Sequence, residues 1–515
     1  MGRVDEDASP TGRRRWVGLI VLSLALFMAS MDNTILNVAL PTLARDLRAT
    51  NDALQWTVDA YQVTYAGFLL VAGSLVDRWG RTRTFTAGVI AFGLCSLGAG
   101  LSGNTMLLIA ARAFTGIGAA LLTPSTLALI SVLFREPTER TTAFAIWSAA
   151  NGAGAAVGPL LSGALLAHFH WGSIFLINVP VAALCLAGVV LFIPRVKPER
   201  ADEGIDWLGT GLSIGGLCVL CWSVISAPGL GIASPPIIIA FLGGLGLLAL
   251  FVWWQGRVDQ PILRLSLFQH RTFAVSVAVS GLVTAGGAGA LFVLTQLLQY
   301  VLGFTPWQSG LAIMPVAVMM LVGAVIAPKA LHSFGIKRSV LGGLVLVTVG
   351  FAWLAATPNE TSFPQLLPGA LLFGLGAGLL MPAATQAVMD SLPSESEGAG
   401  SATNSALMQV GSAMGVAVVG SLLAARYRGS MQGDALVNAL DPDTRTGVLS
   451  SVAQAVDLAQ EPQYANLLPL VKQGFVAGMR IGLGASALVV ALATVAVAIF
   501  FPSERERRRE NSRAV

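Results

Sequence analysis

The chain has 515 residues, of which 55% are hydrophobic and only 11% charged, with a formal net charge of +4. Soluble domains carry about 25% charged residues, so the composition excludes a soluble globular protein of this length and makes lipid the solvent. The positive excess is spread over loops and tails, where anionic lipid is a sufficient partner, and does not point to nucleic acid.

A bilayer core of about 30 Å takes roughly 20 apolar residues at about 1.5 Å rise each. Runs of that kind are predicted at 16–41, 54–76, 84–103, 106–133, 141–167, 173–194, 206–226, 236–256, 272–301, 308–328, 339–356, 364–389, 397–424 and 476–501, fourteen spans in all. The first run is too long for a signal-peptide core and lacks a clear small-residue cleavage site, so it is expected to be a retained helix. With both termini cytoplasmic, 23 of the 31 Lys and Arg fall inside, 7 outside, and one, Arg112, within the membrane, which is the asymmetry that orients membrane helices.

Ionisable groups inside spans cost about 2.5–3.5 kcal/mol each near a helix centre, so those present are functional candidates. Asp32 lies in span 1, roughly 13 Å from its outer end at Pro41. Asp59 lies in span 2, on a helical face with Gln62 and Ala66 and flanked by Tyr61 and Tyr65. An acid among aromatics can hold a lipophilic cation. Arg112 lies in span 4, in the same outer half as the two acids. It either neutralises Asp32 so that both can be buried or takes part in coupling, and the two readings are compatible. No histidine is placed within a span, so proton handling rests on carboxylates. Loss of water favours a neutral acid and a nearby cation favours the carboxylate, so movement between states can load and release a proton. Asp32 is the expected coupling acid and Asp59 a proton or cation site. Met28, Asn37, Phe292, Gln296, Gln299 and Met314 are further candidates for a substrate cavity, with interhelical packing the competing reading.

Span 7 contains Cys218 and Cys221, a CxxC without a second ligand pair, read as core. No metal site is expected. Ser213 sits in a GxSxG but has no intramembrane histidine to activate it. With no GxxxxGK[ST] and no HExxH, the chain is not expected to be an enzyme or to carry a cofactor. The stretch 426–474 is polar enough for an extracellular loop and contains amphipathic segments such as 452–458.

Gly116-Ile-Gly118-Ala-Ala-Leu-Leu-Thr-Pro124 of span 4 returns in span 12 as Gly374-Leu-Gly376-Ala-Gly-Leu-Leu-Met-Pro382, with Ala370 at the place of Arg112. Packing therefore does not require that charge. Gly154, Gly158 and Gly163 of span 5 return as Gly411, Gly415 and Gly420 of span 13. The repeat pairs spans 1–6 with spans 9–14. It predicts an N-terminal six-helix bundle over 1–200, two additional helices over 201–260, and a C-terminal six-helix bundle over 261–515. Parallel halves with a site at their interface are a transporter architecture.

Four motifs resemble those of the fourteen-spanner drug:proton antiporters of the major facilitator superfamily. They are Met31-Asp32-Asn33-Thr34-Ile35-Leu36-Asn37-Val38-Ala39-Leu40-Pro41, Gly73-Ser74-Leu75-Val76-Asp77-Arg78-Trp79-Gly80-Arg81-Thr82-Arg83, the segment 107–119 around Arg112, and Gly154 to Gly163 with Pro159. The segment around Asp59 is similar to that of quaternary-ammonium and actinobacterial antibiotic exporters. The resemblance implies an all-α membrane protein of major-facilitator fold, working as a monomer in the plasma membrane of a bacterium. It also implies that Asp32 and Arg112 couple protons, that Gly73, Asp77, Arg78, Gly80, Arg81 and Arg83 form a conformational latch, and that the glycine and proline motif of span 5 marks export. The expected activity is proton-driven export of small hydrophobic, often cationic, drugs or antibiotics. A dedicated exporter of one natural product or metabolite is the alternative, with a facilitator, an uptake carrier or a membrane enzyme as remote ones.

Overall fold

The computed structural model describes residues 12–134, 136–194, 206–391 and 397–501. Among them all regular structure is helical. Helices α1 (Gly12–Asp46), α2 (Asn51–Trp79), α3 (Arg81–Gly100), α4 (Thr105–Leu133), α5 (Pro137–His168), the short α6 (Ser173–Leu176) and α7 (Asn178–Phe192) come first. A pair follows, α8 (Trp207–Leu230) and α9 (Pro235–Gln255). The remainder comprises α10 (Arg271–Gln296), α11 (Pro306–Ala355), α12 (Phe363–Asp390), α13 (Glu397–Gln432), α14 (Ala435–Asn438), α15 (Pro442–Ser450), α16 (Val452–Leu458) and α17 (Leu467–Phe500). In hydrocarbon a helix satisfies its own backbone polar groups, which is why long apolar runs take this form. Counting α6 and α7 together as one, eleven of the described helices are long and apolar enough to cross a membrane, and the chain is a membrane protein.

Helix ends follow local chemistry. The side chains of Thr50 and Asn104 accept from the N–H groups of Ala53 and Leu107, and Thr305 forms a capping box with Gln308. The predicted sixth span is broken between α6 and α7. Pro180 removes a donor and crowds the carbonyl of Leu176, so the chain restarts at Asn178.

Helix α11 has 50 residues and a single non-helical position, Gly335, with φ 77°. Positive φ costs a side chain dearly and glycine little. Gly374 packs on Val316 and Met319, while Gly376, two residues on, packs on Gly343 and Leu346. Both arms of α11 thus flank α12 at one level, and the chain folds back at Gly335. The same device appears at Gly80, φ 91°, between α2 and α3. The repeat seen in the glycine pattern therefore extends to this hairpin.

The two glycine triads make equivalent contacts. A β-carbon at Gly154 would lie 2.5 Å from the carbonyl oxygen of Phe27, and one at Gly158 2.9 Å from that of Met31, so α5 meets α1 backbone to backbone. Gly411 and Gly415 meet Gly281 and Ala285 of α10 in the same way. The third glycine of each triad touches the opposite half. Gly163 faces Pro306 at 2.7 Å, and Gly420 faces the Gln55 side chain at 2.7 Å. Small residues of this kind let helices approach closely in lipid.

Helix α13 continues to Gln432 and α17 begins at Leu467, so the polar connection spans 433–466, narrower than the expected 426–474. Helix α16 coincides with the amphipathic segment read from the sequence. Its Val452, Ala453, Ala455 and Val456 join one buried cluster with Leu40 and Leu43 of α1 and Val471 of α17. Tyr427 donates to the carbonyl of Val448 at 3.1 Å, Gln454 to that of Arg48 at 3.4 Å, and Arg45 pairs with Asp457 at 3.1 Å. The connection is thus a folded cap that rests on both halves. Helix α9 lies outermost, with only Ile237, Gly244, Phe251 and Gln255 buried.

Replacing Gly415 by leucine forces side-chain atoms into the backbone of α10 and is expected to destabilise the protein by about 1–3 kcal/mol or more. Gly243 has open space around it, and Gly243→Leu is expected to stay within about 0.5 kcal/mol of the parent. Thermal unfolding of the detergent-purified variants checks the contrast.

Candidate substrate and proton site

Gly116 and Thr64 bring α2 and α4 together. A β-carbon at Gly116 would collide with the carbonyl of Tyr61, and the Thr64 hydroxyl donates to the carbonyl of Ala113 at 2.7 Å. On the other side of α4, Gly118 leaves room for the backbone of Phe92 on α3. This close packing presents Arg112, on a buried stripe with Leu108, Thr115, Ala119 and Leu122, to the middle of the bundle.

There the Arg112 Nη1 donates to Asp32 Oδ2 at 2.5 Å, and its Nε to the carbonyl of Thr57 at 3.3 Å. Asn178 Nδ2 donates to Asp32 Oδ1 at 2.8 Å and to the Ser96 hydroxyl at 3.3 Å. The guanidinium lies 4.4 Å from the centre of the Tyr61 ring and 5.7 Å from that of Phe175, a cation–π arrangement. Side-chain exposure is 1% for Arg112 and 0% for Asp32. A charge-assisted hydrogen bond in such surroundings is among the strong ones, and it joins α1, α2, α4 and α7.

Asn178, Ser96 and Thr57 belong to this site and were not among the residues singled out in the sequence. Only the position of Asn178 just before Pro180, at a helix restart, could have drawn attention to it.

The other candidates lie in separate places. Gln62 donates to Asn33 Oδ1 at 2.6 Å, which turns it to α1. The Tyr65 hydroxyl is 2.7 Å from that of Thr123 on α4, and its ring is edge-on to Tyr61. Asp59 is fully buried, and among the described residues neither of its carboxylate oxygens is hydrogen-bonded. It stands on the α2 stripe Trp56, Asp59, Val63 and Ala66, whose apolar members pack against α8 and α13, away from the two tyrosines. Met28 and Phe292 are buried in the bundle, and Met314 is 38% exposed. Asn37 donates to the carbonyl of Thr34 at 3.4 Å, and Gln296 to that of Phe292 at 3.0 Å. Gln299 reaches from a π-helical turn, Leu297–Val301, to the carbonyl of Val38 at 2.8 Å and so ties α1 to the second half. Such turns recur at functional sites.

Of the latch residues, Gly80 makes the turn between α2 and α3, and Arg81 Nη1 donates to the carbonyl of Ala128 at 3.4 Å. Gly73 has open space around it, Arg78 has a buried Nη2 without a hydrogen-bond partner, and Arg83 is exposed. The side chain of Asp77 lies outside the described residues. In the antiporter motif, Pro159 abuts Gly310 of α11, whose β-carbon would lie 2.5 Å from its carbonyl oxygen. Among the described residues no group of His, Cys, Asp or Glu could hold a metal ion. Ser213 donates to the carbonyl of Thr210, and Cys221 lies 3.9 Å from the sulfur of Met414.

Repeated helical halves of apolar helices around a buried ion pair define a membrane carrier. Residues 22–416 match the Major Facilitator Superfamily, and the chain belongs to that superfamily. It is similar to the multidrug efflux pump LfrA of Mycolicibacterium smegmatis, 32% identical over 491 residues, covering 95% of this chain and 96% of that one. The puromycin resistance protein pur8 of Streptomyces alboniger is 36% identical over 414 residues, covering 79% and 82%. The inward-facing, unoccupied crystal structure of a bacterial homolog to the human lysosomal transporter Spinster shares the fold, with a TM-score of 0.65, 15% identity, and 95% and 98% coverage. The chain is a transporter and not an enzyme.

Removing Arg112 leaves Asp32 buried with Asn178 as its remaining partner. Arg112→Ala is expected to cost about 3–5 kcal/mol of stability, and the double variant Asp32→Ala/Arg112→Ala less than that single change. A double-mutant cycle by thermal unfolding measures the coupling.

Proposed function

We propose that the chain is a proton-coupled antiporter that exports small hydrophobic, often cationic, drugs or antibiotics by alternating access. The observation that carries this reading is the buried Asp32–Arg112–Asn178 constellation. A proton taken up by Asp32 removes the charge that holds Arg112 and Asn178, and so loosens α1 from α4 and α7. Return of the carboxylate restores the contact. Each charge moved gains about 2.3 kcal/mol per 100 mV of membrane potential, so the proton gradient is the energy source and no cofactor is needed. Asp59 is a second proton or cation site. Gln62, Tyr61, Tyr65, Met28, Asn37, Phe292, Gln296, Gln299 and Met314 contribute to substrate recognition.

The eleven apolar helices, together with α2, α3 and the second arm of α11, support a fourteen-span topology with both termini cytoplasmic and the cap outside. The setting is the plasma membrane of a bacterium, and the unit is a monomer. Gly73, Asp77, Arg78, Gly80, Arg81 and Arg83 form the inner latch. The Gly154, Gly158, Pro159 and Gly163 motif holds α5 to α1 and to α11 during export. The puromycin-resistance relative supports a second reading, a dedicated exporter of one natural product.

The test is transport in proteoliposomes of stated internal pH against a panel of cationic and neutral drugs, puromycin included. Gradient-driven movement of several of them, lost to the level of protein-free vesicles in Asp32→Asn, is the expected result. Movement of one compound alone selects the dedicated exporter, and unchanged transport by Asp32→Asn removes that acid from the coupling.

A further inference from the structure

Helix α2 and the first arm of α11 occupy equivalent places in the repeat, and Trp56 and Trp307 stand at matching positions, three residues before Asp59 and Gly310. Gly310 lies where α11 crosses onto α5 of the opposite half, with Pro159 and Leu160 against it. The residues of α13 that correspond to those two are Val416 and Ala417. Ala417 belongs to the buried cluster that the α2 stripe joins, with Val63 and Ala66. One contact between the halves therefore has a glycine at its centre, and the equivalent contact has an aspartate.

That aspartate is sealed. Its exposure is 0%, and among the described residues neither oxygen has a hydrogen-bond partner. Helix α8 closes the outer side of the α2–α13 seam with Leu217, Cys221 and Ile225, while Cys218 and Met414 pack at its margin. The carboxyl is near enough to the Cys221 thiol to interact with it electrostatically. Ionisable groups toward the seam are few. Helix α8 brings only Cys218 and Cys221, and residues 400–417 of α13 bring none. Asp52 of α2 interacts with Arg428 of α13, but roughly 10 Å along the helix toward the cap. Arg112 and Asp32 lie on the Tyr61 side of α2. A buried carboxylate without a counter-ion or donor is far less tolerable than a neutral acid of the same shape, so the packed seam suits the protonated form.

We propose that Asp59 is a proton-controlled wedge between the two halves: as the neutral acid it lies within the α2–α8–α13 seam and keeps the cap end shut, and as the carboxylate it drives α2 from α13 and opens that end. The role assigned to the inserted α8–α9 pair is to keep water and lipid from the acid while the seam is closed. Once the seam parts, water and the Gln55 amide, one turn away with its Nε2 unpartnered, become available to the carboxylate. This rests on the reading of the chain as a proton-coupled carrier.

The experiment reads the opening itself, without substrate. Spin labels at Leu101→Cys and Asn359→Cys, exposed positions at the cap end of the two halves, are introduced into the full chain with its four cysteines replaced and reconstituted in lipid. In the parent the interlabel distance is expected to be short at acidic pH and to gain a longer population as pH rises. Asp59→Asn, a neutral isostere, is expected to stay short at every pH, and Asp59→Glu to keep the response. In unlabelled protein retaining Cys221 alone, maleimide labelling should rise with pH in the parent and stay low in Asp59→Asn. A parent distance that ignores pH, or an Asp59→Asn variant that opens as the parent does, overturns the wedge. Because no drug is present, either outcome is separate from a failure of drug transport, which would overturn the exporter assignment instead.

Discussion

Arg112 and Asp32 are both withdrawn from water, and each is tolerable there only because of the other. Their contact needs four helices in register. Helix α4 must touch α2 at Gly116, α1 must present Asp32, and the chain must restart at Asn178 so that its amide reaches the second carboxylate oxygen. A bilayer supplies no water to replace any of these partners. The first half is thus organised around one neutralised charge, and a proton added to Asp32 would weaken the pair.

Close helix contact is the second constraint. Lipid tails offer no hydrophobic driving force between helices, so association rests on van der Waals packing and hydrogen bonds, and small residues set how near the backbones come. The two glycine triads satisfy this twice over. In each, two glycines bind a helix to the first helix of its own half, and the third touches the other half. The positive-φ turns at Gly80 and Gly335 extend the duplication to the hairpins that follow. At two matched positions the halves differ chemically: Ala370 stands for Arg112, and Gly310 for Asp59. The second half keeps the packing without the charges.

Much of the architecture was legible because membrane insertion imposes a length and a composition on every span. The repeat was legible because glycine at a backbone contact has no substitute, so its spacing survives. Less visible were the ends of α13 and α17, which extend past the apolar runs with Tyr427, Met431, Leu467 and Val471 buried in the same cluster as the cap. The break before Asn178 was hidden inside one continuous apolar stretch. The surroundings of Asp59 could not be read from α2 alone. Adjacency in sequence put Tyr61 and Tyr65 beside it, whereas the helix turns them to the opposite side, and which neighbour covers each face depends on α4, α8 and α13.

By itself the sequence determined that the chain is helical, membrane-borne and built on an internal duplication, since hydropathy, glycine spacing and buried charge are local or periodic properties. It also singled out Asp32, Asp59 and Arg112, because an ionisable group in a span is costly wherever it ends up. The tertiary structure decided which of them meet. Arg112 faces Asp32 because Gly116 lets α4 approach α2, and Asp59 faces an apolar seam because α8 lies against α2 and α13. Both outcomes depend on contacts between residues distant in the chain, and no periodicity along one helix encodes them.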